Sequence, residues 1–430
     1  MSDRLYYSDS FLKQFPARIT DIREVSRREG QSLWQVALDR TVFYPTSGGQ
    51  PFDTGTLRAT SRNGAVLEAP IDAVEEDEGG EVWHFTAKPL AAGTPVEGEI
   101  DWDRRLDHMQ QHSGQHLLSA VFAKELHAAT VSFHLGEMVS TIDLTGAPLS
   151  LHSIERVERI ANGLIAEDRP VSVRTVDRAA AEAMLAAGAL RKLPEREGPI
   201  RLIEIEDYDL NACGGTHVRA TGQIGGLQIR GVEKVSRGMR VEFVCGLRAA
   251  AASRRDATVL AKAASLLSAA GEEIPAGIER LQSEAKSGAK ERQRLREEIA
   301  ALHAAQIGAE IAAGNLATGE PRFIEKVFFD RDREYIRLLG SKLAASMPRV
   351  VSLLFAAEAD PVSVVLARSR DLDLPCGQTM REALAAMGLR GGGSPDLAQG
   401  EVAKAQMEML RNALRERIGN AVPAPVAKHG

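Results

Sequence analysis

Over the first 95 residues apolar and polar positions alternate in short runs, as at 34–38, 55–57 and 82–85, separated by turn-forming stretches at 61–64 and 78–80. That pattern predicts a small β-barrel-like module over 1–95. From 96 to 247 the period lengthens to that of helices at 103–126 and 153–167. Strand-like runs at 171–176, 201–205, 224–232 and 240–245 are interleaved with them, which predicts an α+β domain. Residues 248–314 are rich in Ala, Glu, Arg and Leu and are interrupted at 271–277 by glycines and Pro275, so two helices around an elbow are expected. In the second of these, Ile278, Leu281, Ala285, Leu295, Ile299 and Leu302 keep the spacing of a coiled-coil hairpin, with Gly288 and Arg292 interrupting the stripe. Strands at 323–328, 350–355 and 362–366 then alternate with helices at 331–345, 378–387 and 402–417, which predicts a C-terminal α/β domain over 315–430. The chain as a whole therefore reads as multidomain α+β in four segments.

Length and composition narrow the class. A chain of 430 residues exceeds what one hydrophobic core of about 250–300 residues can organise. With 44% hydrophobic and 26% charged residues it has the balance of a globular protein, which excludes wholesale disorder. Its longest apolar runs fall well short of the about 18 residues that a membrane helix needs, so no membrane partner is expected. The first residues lack a basic segment followed by an apolar one, so a reducing, cytoplasmic setting is expected. Three cysteines, Cys213, Cys245 and Cys376, are too few for a disulfide framework and point instead to a ligand or nucleophile role for any special one. A net charge of −6 argues against a uniformly nucleic-acid-attracting surface and leaves room for local basic patches.

The histidines carry the chemistry. His108, His112 and His116 recur every four residues and share one helix face. Helical rise separates the outer two by about 12 Å, whereas Zn–N bonds are about 2.1 Å, so one ion can take His112 with His116 or His108 with His112, not all three. About 100 residues later the segment Cys213-Gly214-Gly215-Thr216-His217 offers a thiolate and an imidazole on a glycine-rich loop. Two imidazoles from a helix joined to Cys and His from a loop make a mixed soft and borderline donor set, which favours one zinc ion per chain.

The phrases at 39–51 (DRTVFYPTSGGQP), 112–118 (HSGQHLL), 213–217 (CGGTH) and 234–243 (KVSRGMRVEF) occur in that order. Together they resemble the editing half of alanyl-tRNA synthetase and its free-standing relatives, the AlaX-type alanyl-tRNA editing proteins. The resemblance continues into the segment 388–400 (GLRGGGSPDLAQG), which is similar to the C-terminal domain that these synthetases share with DHH-type phosphoesterases. It covers nearly the whole chain and matches the long form of AlaX. The chain starts directly at the β module, so no aminoacylation activity is expected. It contains no Asp-His-His triplet, so no two-metal phosphoesterase core is expected either.

The resemblance implies zinc-dependent hydrolysis of the ester joining serine, with glycine as a second candidate, to tRNA(Ala), without ATP. It implies His112, His116, Cys213 and His217 as zinc ligands and Thr41 as reader of the serine hydroxyl. Gly48, Gly49 and Gln50 would form a turn beside the substrate, with Ser47 standing where the family commonly has a third glycine; Ser132 and His134 would line the pocket. For tRNA, the candidates are Lys234, Arg237 and Arg240 near the site and the loop Arg390, Gly391, Gly392 and Gly393. Further candidates are Arg248, Arg254 and Arg255, whereas the basic residues at 286–296 alternate with glutamates as on a solvated helix face. The C-terminal half would also pair two subunits into a homodimer. The rival readings are an editing factor for threonyl-tRNA and a catalytically silent tRNA-binding protein holding a structural zinc.

Overall fold

The computed structural model describes residues 1–28, 31–146, 148–195, 198–236, 238–313 and 321–421. It is mixed α+β and divides into two compact units, Met1–Lys262 and Ala263–Gly430. No described helix is long and apolar enough to cross a membrane.

The first unit opens with a seven-stranded antiparallel sheet in the order Val66–Ile71, Gly55–Thr60, Pro95–Ile100, Gln14–Arg28, Gln31–Leu38, Val82–Thr86, Ala73–Glu76. The long strand Gln14–Arg28 organises it: Gln14–Arg18 pair with Pro95–Glu99 and Ile19–Arg28 with the hairpin partner Gln31–Leu38. One strand shared by two halves curls the sheet around a core that includes Phe15, Ile19, Val36, Phe43, Leu57 and Val96.

Helix α1 (Trp102–Leu126) follows, its N-terminus capped by the Asp101 carboxylate accepting from Arg104 N–H at 3.2 Å. It packs, with α2 (Leu151–Ala166), on a four-stranded antiparallel sheet ordered Thr130–Leu135, Ser140–Leu144, Gly238–Cys245, Leu227–Val235. The polar face of α1 is not solvated: Gln110, Gln111, His112, Ser113 and Gln115 are all buried. Gln111 resolves that cost by donating to Cys245 O at 3.0 Å and accepting from Cys245 N–H at 2.9 Å. A three-stranded sheet (Val171–Val176, Ile200–Ile205, Asp209–Ala212) carries the loop after it, and α3 (Arg178–Ala186), which the sequence pattern had not suggested, packs nearby through Ala181. Helix α4 (Gly246–Leu267) leaves the strand Gly238–Cys245 directly.

In the second unit α5 (Ile274–Ala313) starts one residue before Pro275, which sits in the first turn where its missing N–H costs nothing. The elbow expected at 271–277 thus closes by Ile274. The proposed seam residues Ile278, Leu281, Leu295, Ile299 and Leu302 are 43–72% exposed, so among the described residues that stripe has no covering partner. Buried instead are Ala300, Ala304 and Ile307, against α6 (Arg333–Ser346). The five-stranded sheet runs Arg322–Phe328, Val350–Ala356, Val362–Arg368, Leu397–Val402, Gly391–Gly393, its first pair parallel and the rest antiparallel. Strand Val350–Ala356 is buried at all seven positions because both faces are covered. Val351, Leu353 and Phe355 face α7 (Cys376–Ala385) and α8 (Met407–Ala421), while Val350, Leu354 and Ala356 face α6. The helix expected at 402–417 begins only at Met407, because Val402 closes the strand Leu397–Val402.

Candidate metal centre

One helical turn brings His112 and His116 into a stack, with ring centroids 5.1 Å apart and planes 14° apart. The loop after Asp209–Ala212 delivers Cys213 and His217 to them, and the four ligand atoms all lie within 4.8 Å of one another. Of the two histidine pairs open on helical geometry, the structure gathers His112 with His116; His108 lies outside the cluster.

The donor set fits a zinc ion. Sulfur and nitrogen ligands on a tetrahedral zinc stand about 3.6 Å apart. Cys213 Sγ is 3.4 Å from both His112 Nε2 and His217 Nε2. His116 Nε2 is buried with no hydrogen-bond partner in the protein, an orphaned lone pair of the kind a cation would satisfy. Burial pushes the imidazoles of His112 and His217 well below the usual range and that of His116 to about 3, so all three are neutral. Burial also raises the Cys213 thiol, a cost that a bound cation would reverse by taking the thiolate.

Other side chains hold the ligands in place. Gln50, buried in the turn after Gly49, accepts from His112 Nδ1–H at 2.8 Å, which leaves Nε2 free for a metal. The same amide accepts from Thr216 N–H at 3.0 Å and donates to Thr216 Oγ1 at 2.9 Å, so its orientation is fixed. His217 Nδ1 lies 3.3 Å from Ser113 Oγ, which also accepts from Val218 N–H at 3.1 Å. Gly215 permits this closeness: a Cβ there would stand 2.2 Å from His112 Cε1. Arg201 closes the loop from outside, donating to Cys213 O at 2.8 Å, Gly215 O at 2.9 Å and Tyr7 O at 3.1 Å. Neither Arg201's bonds to this loop nor Gln50's bond to His112 was evident in the sequence, since each joins separate elements whose packing no local pattern encodes.

The turn bearing Gly48, Gly49 and Gln50 is fastened to α1 by a buried ion pair. Arg105 donates through Nε to both Asp53 oxygens at 3.1 Å, through Nη1 to Ser10 O at 2.9 Å and through Nη2 to Val42 O at 2.6 Å. Asp53 in turn accepts from Tyr44 N–H at 2.7 Å. Thr41 is fully enclosed in the β module. His84 Nδ1, 3.1 Å from Val36 O, carries the proton, so its Nε2 accepts from the Thr41 hydroxyl at 2.8 Å, and Thr41 Oγ1 accepts from Phe43 N–H at 3.1 Å. As placed, Thr41 offers no surface to a ligand.

On the edge strand Thr130–Leu135, Ser132 donates to Asp143 at 2.9 Å and His134 is exposed. Alternation gives the opposite face to Phe133, and it is Phe133 whose ring approaches His112, at 5.5 Å. Among the basic candidates, Arg240 forks onto Asp143 at 2.8 and 3.0 Å, which occupies its charge, and Lys234 is exposed. Arg237 lies outside the described residues. Arg248 is likewise committed, to Asp107 and to Gly136 O. Arg390 is exposed and lines a shallow cavity of about 340 Å³ with Arg333, Gly391, Gly392, Gln399, Gly400 and Glu401. Gly391 and Gly393 are explained by packing, since a Cβ would stand 2.2 Å from Leu384 Cδ1 and 2.2 Å from Leu397 O respectively. Gly392 faces the Arg381 guanidinium.

Comparison with known proteins bears on these same segments. Residues 200–241 match the family described as threonyl and alanyl tRNA synthetase second additional domain, and residues 1–104 match that of class II (A) tRNA synthetases. The AlaX-L alanyl-tRNA editing protein of Pyrococcus horikoshii is 36% identical over 257 residues, 58% of this chain and 59% of that protein. The Aarsd1 alanyl-tRNA editing protein of Rattus norvegicus is 30% identical over 347 residues, 78% of this chain and 80% of that protein. An alanine–tRNA ligase of Pyrococcus abyssi is 31% identical over 411 residues, which is 93% of this chain and 42% of the ligase. The chain thus spans less than half of that ligase and about three-fifths of the archaeal editing protein.

Proposed function

Since this chain belongs to the alanyl-tRNA editing family of AlaX type, we propose that it is a zinc-dependent deacylase acting in trans on tRNA(Ala) mischarged with serine, with glycine as a second candidate acyl group. The observation that carries this reading is the convergence of His112, His116, Cys213 and His217 around the unpartnered His116 Nε2. These four residues would hold one zinc, whose chemistry when bound is to polarise an ester carbonyl or acidify a water.

The chain's own contribution is preorganisation. Gln50 fixes which nitrogen of His112 is available, and Ser113 does the same for His217. Arg201 holds the carbonyls of Cys213 and Gly215, so the loop does not have to be ordered when substrate arrives. His116 and Cys213 are half-buried as residues, whereas His112 and His217 are buried and His116 Nε2 itself is enclosed. Such an enzyme has a physical reason to exist, because an alanine pocket discriminates weakly against an isostere that merely adds a hydroxyl. The reverse discrimination is stronger: a pocket that hydrogen-bonds the serine hydroxyl leaves a buried polar group unpaired when alanine enters.

We read the second unit, with the loop at 390–393, as the part that grips tRNA by its phosphates. Hydrolysis of Ser-tRNA(Ala), Ala-tRNA(Ala) and Ser-tRNA(Thr), measured side by side, tests the whole reading. Preferential loss of serine from tRNA(Ala) is expected; preference for Ser-tRNA(Thr) would make the protein a threonyl-tRNA editing factor. Four protein ligands also suit a closed structural site. Tight tRNA binding with no hydrolysis of any substrate would therefore favour the silent binding protein.

A further inference from the structure

Phe133 has no role in the ligand set or in holding it. It stands on the edge strand of the four-stranded sheet, half-buried, on the face opposite Ser132 and His134. Its ring centroid is 5.5 Å from that of His112, with the planes inclined by 36°. The ring also meets the turn of the β module. Gly49 has φ +84°, and a Cβ there would come within 2.7 Å of Phe133 Cε2. Three pieces of chain far apart in sequence, the turn at 48–50, the edge strand and α1, therefore converge on one apolar ring beside a cluster of polar ligands.

A phenyl ring has no atom with which to read a hydroxyl. What it can do is limit how far a side chain extends from the carbon next to the ester. We propose that Phe133 is the size limit of the acyl pocket: an ester whose side chain is no larger than that of serine seats against the ring, and one additional methyl group collides with it. Gly49 belongs to the same wall, because only a residue without a side chain lets the turn close on the ring. The inference rests on the deacylase reading above and names which acyl groups that site admits.

The experiment compares kcat/KM for glycyl, seryl and threonyl esters of one tRNA(Ala), using the full chain as wild type, Phe133→Leu, Phe133→Ala and Phe133→Trp, with zinc content measured on each. Both smaller replacements should raise the threonyl-to-seryl ratio by about 10-fold or more, the scale on which a pocket senses one methylene. Phe133→Trp should shift the preference from seryl toward glycyl. Zinc content should stay at the wild-type value throughout. If Phe133 only supports the fold, all three esters will slow together and their ratios will not move, which overturns the proposal; Phe133→Leu keeps this comparison available should Phe133→Ala fail to fold. Unchanged ratios in fully metallated variants overturn it equally. Absence of seryl hydrolysis by the wild type would remove the deacylase reading itself, and the size limit with it.

Discussion

At the residue scale, metal binding by the cluster would depend on lone pairs being aimed before the ion arrives. Gln50 does this for His112 through a bond between residues 62 apart in sequence. Gln50→Ala frees the imidazole to choose its tautomer and should weaken zinc binding by about 10–100-fold, read by competition with a chromophoric chelator. Cys213→Ala and His116→Ala should lose zinc outright by elemental analysis, whereas His108→Ala should retain it; a zinc-free His108→Ala protein would reassign the ligands. His84 supplies a second residue-scale expectation. Burial holds its pKa down to about 4, against about 6.5 in an unfolded chain. Between those values the unfolded chain binds a proton that the folded one refuses, so stability falls as pH drops from 6.5 to 4, by about 1.4 kcal/mol per pH unit for each such histidine. His84→Gln still offers Thr41 an acceptor but does not titrate. Its unfolding free energy should therefore depend on pH less steeply than the wild type across that window, in denaturant melts at matched pH.

At the scale of elements, what places the turn at 48–50 is its attachment to α1. Arg105 and Asp53 are both fully buried, and the guanidinium satisfies Ser10 O and Val42 O as well as the carboxylate. Arg105→Ala leaves Asp53 as an unpaired buried charge and should cost about 3–5 kcal/mol, measured by chemical denaturation. Arg105→Lys cannot reproduce the fork and should recover only part of that loss. A loss below about 1 kcal/mol for Arg105→Ala would mean that the turn is held by packing alone. The same helix shows how pattern can mislead about burial: a stretch reading Gln-Gln-His-Ser-Gly-Gln has the look of a solvated face, yet each of its polar groups is enclosed.

At the scale of the whole molecule, the candidate ligands and the loop proposed to grip tRNA fall in different units. All four ligand residues lie within Met1–Lys262, and the glycine loop at 391–393 lies within the second unit. Ending the chain at Arg248 would cut α4 beside the contacts of Arg248 with Asp107 and Gly136. A chain ending at Lys262 keeps them. It should bind zinc and keep the serine-over-alanine preference, while its tRNA affinity falls and the slope of log affinity against log salt becomes shallower, because fewer phosphates are neutralised. Equal affinity and slope for the short and full chains would leave the second unit with a role other than holding tRNA.

The sequence by itself determined the local periods and motifs. Strand Val171–Val176 and the core of α1 were legible because period and apolar content are properties of neighbouring residues. So was the pairing of a helical His-x-x-x-His with a Cys-x-x-x-His loop as candidate ligands, because spacing fixes which side chains share a face. What only the tertiary structure decided is partnership. Thr130–Leu135 alternates Thr, Ser and His with Val, Phe and Leu, so its pattern gives Phe133 the apolar face, but it does not announce that this ring, and not Ser132 or His134, reaches His112. Nor does a short motif say which histidine pair will meet the loop, or that Gln50, Arg105 and Arg201 will close on partners 50 to nearly 200 residues away. Those contacts depend on how separately formed elements pack, and no local pattern encodes that.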